Sequence, residues 1–295
     1  MGMEYSIDCR FVNVYLNGLD QGLYLFCETV KTSSNRVDIE DGYNPNSEEI
    51  PFLLELDYKL EENNPNYIEE QLDIEFFFLD NTEYNGKRYQ FATKYPKTFT
   101  TDDITLEQYT YIKDYMNNVY RSVRDGDYEN YIDVDSFIDY FIIQELFLNI
   151  DQDYSSVYMY KPYGEKLYMG PAWDFDLSTG NCSYVGTYDP FRSMKDVNGG
   201  NYLFVTLMNH PEFKEKFQTR LRELDKYIIP TMLSSFTNNL KTIEQYANKD
   251  NEIWQNLNEP NWARPEWLLN KTYTQQVNYL NNFLDQHYYW MINNM

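Results

Sequence analysis

The sequence predicts an α+β protein, with a β-rich N-terminal lobe over residues 1–100 packed on a helical C-terminal lobe over 101–295. Three observations predict it. Apolar residues alternate in short runs through the first hundred positions, recur at helical spacing through most of the rest, and are interrupted there by one hairpin pattern. A hydrophobic content of 42% over 295 residues suffices for a substantial core. Twelve Gly and eleven Pro are too few for a low-complexity chain.

In chain order, residues 11–30 (FVNVYLNGLDQGLYLFCETV) read as a hairpin, with two β-rich runs flanking a turn that holds Asn17, Gly18 and Gly22. A polar loop follows over 31–49. Residues 51–58 (PFLLELDY), 74–79 and 87–94 (KRYQFATK) supply three further strands. Helical spacing begins at Ile104 and runs to Val123, with Thr100, Thr101 and Asp102 as candidate caps. Residues 134–148 (VDSFIDYFIIQELFL) are apolar on nearly every face, which predicts a central, buried helix capped by Asp133. The stretch SVYMYKPYGEKLYMG then forms a hairpin turning at Pro162, Tyr163 and Gly164, inserted in the helical lobe. Helices are expected over 202–209, 212–227, 231–248 and 273–295.

Charge narrows the function. The formal net charge is −23, from 47 acidic and 24 basic residues. A nucleic-acid binder needs a basic footprint, so that class is disfavoured, whereas divalent cations and basic partners suit an acidic surface. No apolar run approaches the ~20 residues of a membrane span. The cysteines Cys9, Cys27 and Cys182 are odd in number and show no C-x-x-C spacing. Neither a zinc site nor a disulfide framework is expected from them, and small buried hydrophobes are the plainer reading. His210 and His287 are isolated and are expected to be satisfied or exposed. Trp254, Trp262, Trp267 and Trp290 are expected to pack the C-terminal helices, a carbohydrate-stacking platform being the alternative.

The chemistry gathers around the second hairpin. Asp151 lies about twelve residues before its turn and Asp174 about eleven after, so paired strands bring both out at one end, ~5–10 Å apart. Asp176 alternates to the face of Asp174, and Asp153 and Asn181 are close by. Carboxylates so clustered repel unless a proton or cation intervenes, and oxygen ligands favour Mg²⁺, Mn²⁺ or Ca²⁺. The bland alternative is a group of solvated loop acids. Protein kinases carry a similar layout: a catalytic Asp before a hairpin, a metal-binding Asn five residues on, and a metal-binding Asp beyond the hairpin. Here Asp151, Ser156 and Asp174 occupy those places, with Asp153 as a substitute for the weaker serine ligand. There is no Gly-rich phosphate loop of the common types.

The segments NGLDQGLYLFCE, FLLELDY, SFIDYFIIQELFLNIDQDYSSVYMYK and KLYMGPAWDFDLSTGN resemble the CotH kinase family, whose namesake is a spore-coat protein kinase. The resemblance spans residues 11–230 and, more loosely, the C-terminal helices. WDFDLSTGN with an upstream NID is its specific part; the NG-x-x-x-GLY turn is weak. It implies an atypical kinase-like fold and ATP-dependent phosphorylation of Ser or Thr hydroxyls in proteins, with ATP and Mg²⁺ or Mn²⁺ as cofactors. By position, Asp151 resembles the catalytic aspartate and Asp174 the metal-binding one, supported by Asp176 and Asn181. Lys94 is the candidate phosphate lysine, ahead of Lys31 and Arg36, with an ordinary surface lysine as the alternative. Glu28 pairs with a basic group, either in the cleft or as a structural ion pair. The stretch around Arg192 is expected to act as a lid. An acidic kinase suits a basic, Ser-rich protein substrate. The resemblance further implies an upstream segment of the N-terminal lobe, so the chain is expected to be a domain of a longer extracellular, spore-surface or cell-surface protein. Two other classes stay open: a non-catalytic surface assembly or binding module of the same fold, and metal-assisted glycoside hydrolysis by paired carboxylates.

Overall fold

The computed structural model describes residues 3–57, 76–80, 84, 89–96, 104–153, 155–183, 189–197, 200–260 and 263–295. Strands β1 (Cys9–Leu16) and β2 (Leu19–Cys27) form a separate antiparallel hairpin. Its turn residues, Asn17 and Gly18, have φ of 52° and 79°. That is the backbone an Asn-Gly two-residue turn supplies at little cost. Five more strands follow: β3 (Phe52–Leu56), β4 (Phe76–Phe78), β5 (Gln90–Tyr95), β6 (Val157–Lys161) and β7 (Tyr168–Met169). They make one antiparallel sheet in the order β4-β5-β3-β6-β7. The helices are α1 (Leu106–Asp125), α2 (Val134–Phe147), α3 (Tyr202–Leu207), α4 (Pro211–Asp225), α5 (Ile228–Trp254) and α6 (Tyr273–Asn294).

The second hairpin differs from its expected placement. It is not an insertion among helices, because β6 pairs with β3 along its whole length, from Phe52 opposite Lys161 to Leu56 opposite Val157. All five β6 residues are buried, so neither an edge nor a face of the strand is left to water. A lone two-stranded hairpin is marginal, whereas a central strand satisfies both rows of backbone groups. The sheet therefore takes strands from both sides of residue 100.

Alternation along the strands divides the core in two. Phe52, Leu54, Leu56, Phe91, Val157 and Met159 face the helices and join Ile112, Met116, Tyr120, Phe137 and Phe141 in the main cluster. Each fully buried side chain of this size contributes ~1.5–3 kcal/mol. On the opposite face Leu53, Tyr158 and Tyr160 pack with Val37 and Ile39 in a smaller cluster. Helix α2 runs through the main core, with ten of its 14 residues buried. Asp133 caps it by accepting from the Ser136 N–H at 2.8 Å. The cap of α1 is Thr105, in a reciprocal capping box with Gln108. Thr100, Thr101 and Asp102 lie outside the described residues, as do Trp262 and parts of the 74–79 and 87–94 segments.

One buried charge pins the β6–β7 turn. Lys161 is 1% exposed, lies over the rings of Tyr111 and Tyr115, and donates to Glu49 Oε1 at 2.5 Å. Burial draws its ammonium below the ordinary lysine value, against the opposing pull of Glu49. Glu49 Oε1 also accepts from the Gly164 N–H at 2.8 Å. Removing Glu49 strands a cation among aromatic rings. Glu49→Ala is expected to cost about 3–5 kcal/mol in urea unfolding, and adding Lys161→Met should recover most of it. A double variant no more stable than Glu49→Ala contradicts this role.

Candidate active site

Helix α2 ends where Leu148, buried and in the left-handed region at φ 46°, turns the chain into a short 3₁₀ turn, Ile150–Asp153. Asn149 follows that cap and is 2% exposed. Its Oδ1 accepts from the Asp151 N–H at 3.3 Å, and its Nδ2 donates to the Asp174 carbonyl at 3.0 Å. One amide thus joins the loop of Asp151 to the loop of Asp174. Sequence reasoning missed Asn149; the signal was a polar residue wedged between buried Leu148 and Ile150.

The strands stop pairing before they reach the aspartates. Cross-strand pairing ends at Met159 opposite Met169, with one more bond from the Gly170 N–H to the Tyr158 carbonyl. Beyond it, Ser156 and Asp174 both adopt left-handed backbone, at φ 60° and 59°. Non-glycine residues bear such strain at ~1–3 kcal/mol each, and functional loops are where it concentrates. The Ser156 hydroxyl donates to Asp174 Oδ2 at 3.1 Å. Asp176 lies beside Asp174; burial first, then the Asp174 charge, raise Asp176 above the usual carboxylate range. Asn181 Nδ2 donates to the Asp176 carbonyl at 2.8 Å. It therefore shapes this loop through the backbone. Gly180, at φ 74°, allows the turn to lie on α6, because a Cβ there would come 2.7 Å from the Tyr279 hydroxyl.

Asp174 and Asp176 line a cavity of about 980 Å³. Cys9, Phe11, Leu25 and Cys27 of β1–β2 form one wall, and Phe236, Leu240 and Ile243 of α5 form another. Asp151, Ser156 and Lys94 are not among its lining residues. The hairpin wall is moored at its tip: Asp250 accepts from the Leu23 N–H, Trp254 Nε1 donates to the Gln21 carbonyl, and Lys249 pairs with Asp20. Trp254 thus anchors the hairpin, while Trp290 stacks on His287.

Lys94 is held by Glu55 at 2.5 Å. Glu55, 8% exposed, is also hydrogen-bonded to the Tyr158 hydroxyl. Burial pushes the Tyr158 phenol up, and the charges of Glu55, Asp57 and Asp174 add to it. Glu28 pairs with Arg36 at 2.6 Å and accepts from the Asp8 N–H, with both partners of the ion pair partly exposed. Lys31 and Arg36 line a separate pocket of about 320 Å³. The side chain of Asp153 lies outside the described residues.

The expected lid is tied down. Glu145, fully buried on α2, accepts from Ser193 Oγ and from the Met194 N–H, each at 3.1 Å. Burial pushes its carboxyl up to about 8. His287 is also buried, with Nε2 2.6 Å from the Glu145 carbonyl and Nδ1 2.9 Å from the Pro190 carbonyl. Asn201 Nδ2 donates to the Gln152 carbonyl, tying the following segment to the Asp151 turn. His210 is satisfied by the Val123 carbonyl.

A family model described as CotH kinase protein matches residues 3–291, nearly the whole chain. The chain belongs to the CotH kinase family. No protein among the curated sequences matches it. The mixed α+β arrangement of this CotH chain is consistent with the kinase-like fold of its family. Among the described residues, no helix is long and apolar enough to cross a membrane. Nor do three His, Cys, Asp or Glu side chains among them group as a metal-holding set.

Two expectations follow from the raised carboxyls. For Asp176 the unfolded chain releases its proton first, so stability falls as pH rises from about 4 until the folded carboxyl also ionises. Asp174→Asn should shrink that fall; urea midpoints across pH check it, and an unchanged fall contradicts a contribution of the Asp174 charge to Asp176. Glu145→Gln should gain stability over the parent progressively from about pH 5 to 8, reaching ~2 kcal/mol or more. Thermal unfolding at several pH values reads this, and a pH-independent difference contradicts it.

Proposed function

We propose that the chain is a metal-dependent ATP:protein phosphotransferase acting on Ser or Thr hydroxyls. The carrying observation is that Asp174, one of two neighbouring carboxyls on a large cavity, is linked through Asn149 to the loop of Asp151. Two carboxyl groups forced together need a proton or a cation between them, and oxygen donors suit Mg²⁺ or Mn²⁺. Magnesium characteristically takes one or two protein carboxylates and completes its shell with phosphates and water.

Asp174 and Asp176 would hold the metal, with Ser156 orienting Asp174 and Asn181 fixing the backbone of Asp176. When bound, the ion supplies neutralisation of phosphate charge. Asp151 accepts the proton of the attacking hydroxyl, and the Asn149 amide sets its loop. Lys94 neutralises phosphate charge after exchanging its Glu55 partner. The negative surface draws a basic, Ser-rich protein substrate and disfavours nucleic acid. The spore-coat name of the family supports an extracellular or surface site of action.

Labelled ATP, Mn²⁺ and a basic Ser-rich protein provide the test. Asp151→Ala is expected to lose ~10²–10⁴-fold in transfer, and Asp174→Ala to lose metal dependence with activity. Equal transfer by parent and variants rejects the assignment. A second reading, a non-catalytic surface binding module, is favoured by the mainly apolar cavity walls and by the engagement of Lys94 with Glu55. It predicts no shift in Tm with ATP and Mn²⁺.

A further inference from the structure

The three cysteines do not behave alike. Cys182 is buried, as expected for a small hydrophobe, but Cys9 is exposed and Cys27 half-buried. Cys9 opens β1 and Cys27 closes β2, and the two stand directly opposite each other in the ladder. The adjoining pair, Asp8 and Glu28, exchanges a backbone bond from the Glu28 N–H to the Asp8 carbonyl at 3.0 Å. Antiparallel pairs alternate, so Cys9 and Cys27 form a non-hydrogen-bonded pair, the kind whose Cα atoms approach to ~4.5 Å with side chains on one face. A disulfide needs Cα atoms ~4.4–6.8 Å apart. Both side chains line the cavity that holds Asp174 and Asp176. The hairpin is moored at its tip by Asp250 and Trp254, so its open end at these cysteines is where a covalent clip adds a constraint.

We propose that Cys9 and Cys27 form a reversible disulfide that clips the open end of the β1–β2 hairpin and fixes one wall of the cavity. The oxidant is a low-molecular-weight disulfide. The exposed Cys9 thiolate attacks one of its sulfurs, forming a mixed disulfide and releasing one small thiol. The Cys27 thiolate then displaces the second small thiol and closes the Sγ–Sγ bond. Two protein thiols are oxidised, one small disulfide is reduced to two thiols, and the protein's two protons pass to those thiols. Burial, the neighbouring Cys27 and Asp8 raise the Cys9 thiol above its ordinary value. Exchange should accordingly accelerate as pH rises, because the thiolate is the attacking form. The inference stands whichever reaction the cavity serves.

The test is to incubate the chain with oxidised glutathione and then block free thiols and digest without reductant. The expected result is loss of two of the three alkylatable thiols, a Cys9–Cys27 linked peptide, and a rise in Tm reversed by dithiothreitol. Cys182→Ser should leave all of this intact. Cys9→Ser should abolish the linked peptide and the Tm rise, leaving Cys27 free or glutathionylated. Stable glutathione adducts on both cysteines of the parent, a disulfide-linked dimer, or unreacted Cys9 and Cys27 each overturn the proposal.

Discussion

The antiparallel pairing of β3 with β6 is the constraint on which the rest of the molecule depends. It joins strands separated by about a hundred residues of chain, and loop closure on that scale must be offset by the contacts it permits. Those contacts are extensive: on one face Phe52 and Leu54 meet the α1 and α2 core, and on the other Leu53 meets Tyr158 and Tyr160. Without this pairing β6 would be a buried strand with an unpaired edge, and the segment after β7 would have no fixed course back to the end of α2. Asp174 reaches the loop of Asp151 because the sheet delivers it there.

Local polar bonds then finish what the sheet begins. The Asn149 amide bonds both loops at once, and Ser156 and Asp174, both in left-handed backbone, are joined by the Ser156 hydroxyl. A buried amide that satisfies a donor and an acceptor on separate segments is costly to remove, since both bonds that join the segments are lost together. Glu145 and His287 act likewise on the 189–197 segment. That segment is fastened to the core through a buried carboxyl and a buried imidazole rather than hanging as a free flap.

Much of the fold was legible because it rests on local signals. Asn17-Gly18 dictates its turn, Asp133 is a cap of the expected chemistry, and the all-round apolar face of α2 announces a core helix. The partner of β6 was not legible, since a run such as VYMYK specifies burial but not which strand covers it. The pairing of Asp151 with Asp174 was read from hairpin symmetry, yet the strands end at Met169 and the link is made by Asn149. Lys94 was read as a phosphate lysine; its resting partner Glu55 lies on another strand, invisible to local pattern. Cys9 and Cys27 were read as hydrophobes because spacing along the chain hides a cross-strand pair.

The central claim is that Asp174 and Asp176 form a cation site coupled by Asn149 to the loop of Asp151. Counting free Mn²⁺ by electron paramagnetic resonance while titrating the chain, with and without ATP, tests it most directly. The account predicts saturable binding that tightens with ATP, weakens in Asn149→Ala and is lost in Asp174→Asn. Equal Mn²⁺ affinity in the parent and Asp174→Asn would contradict it.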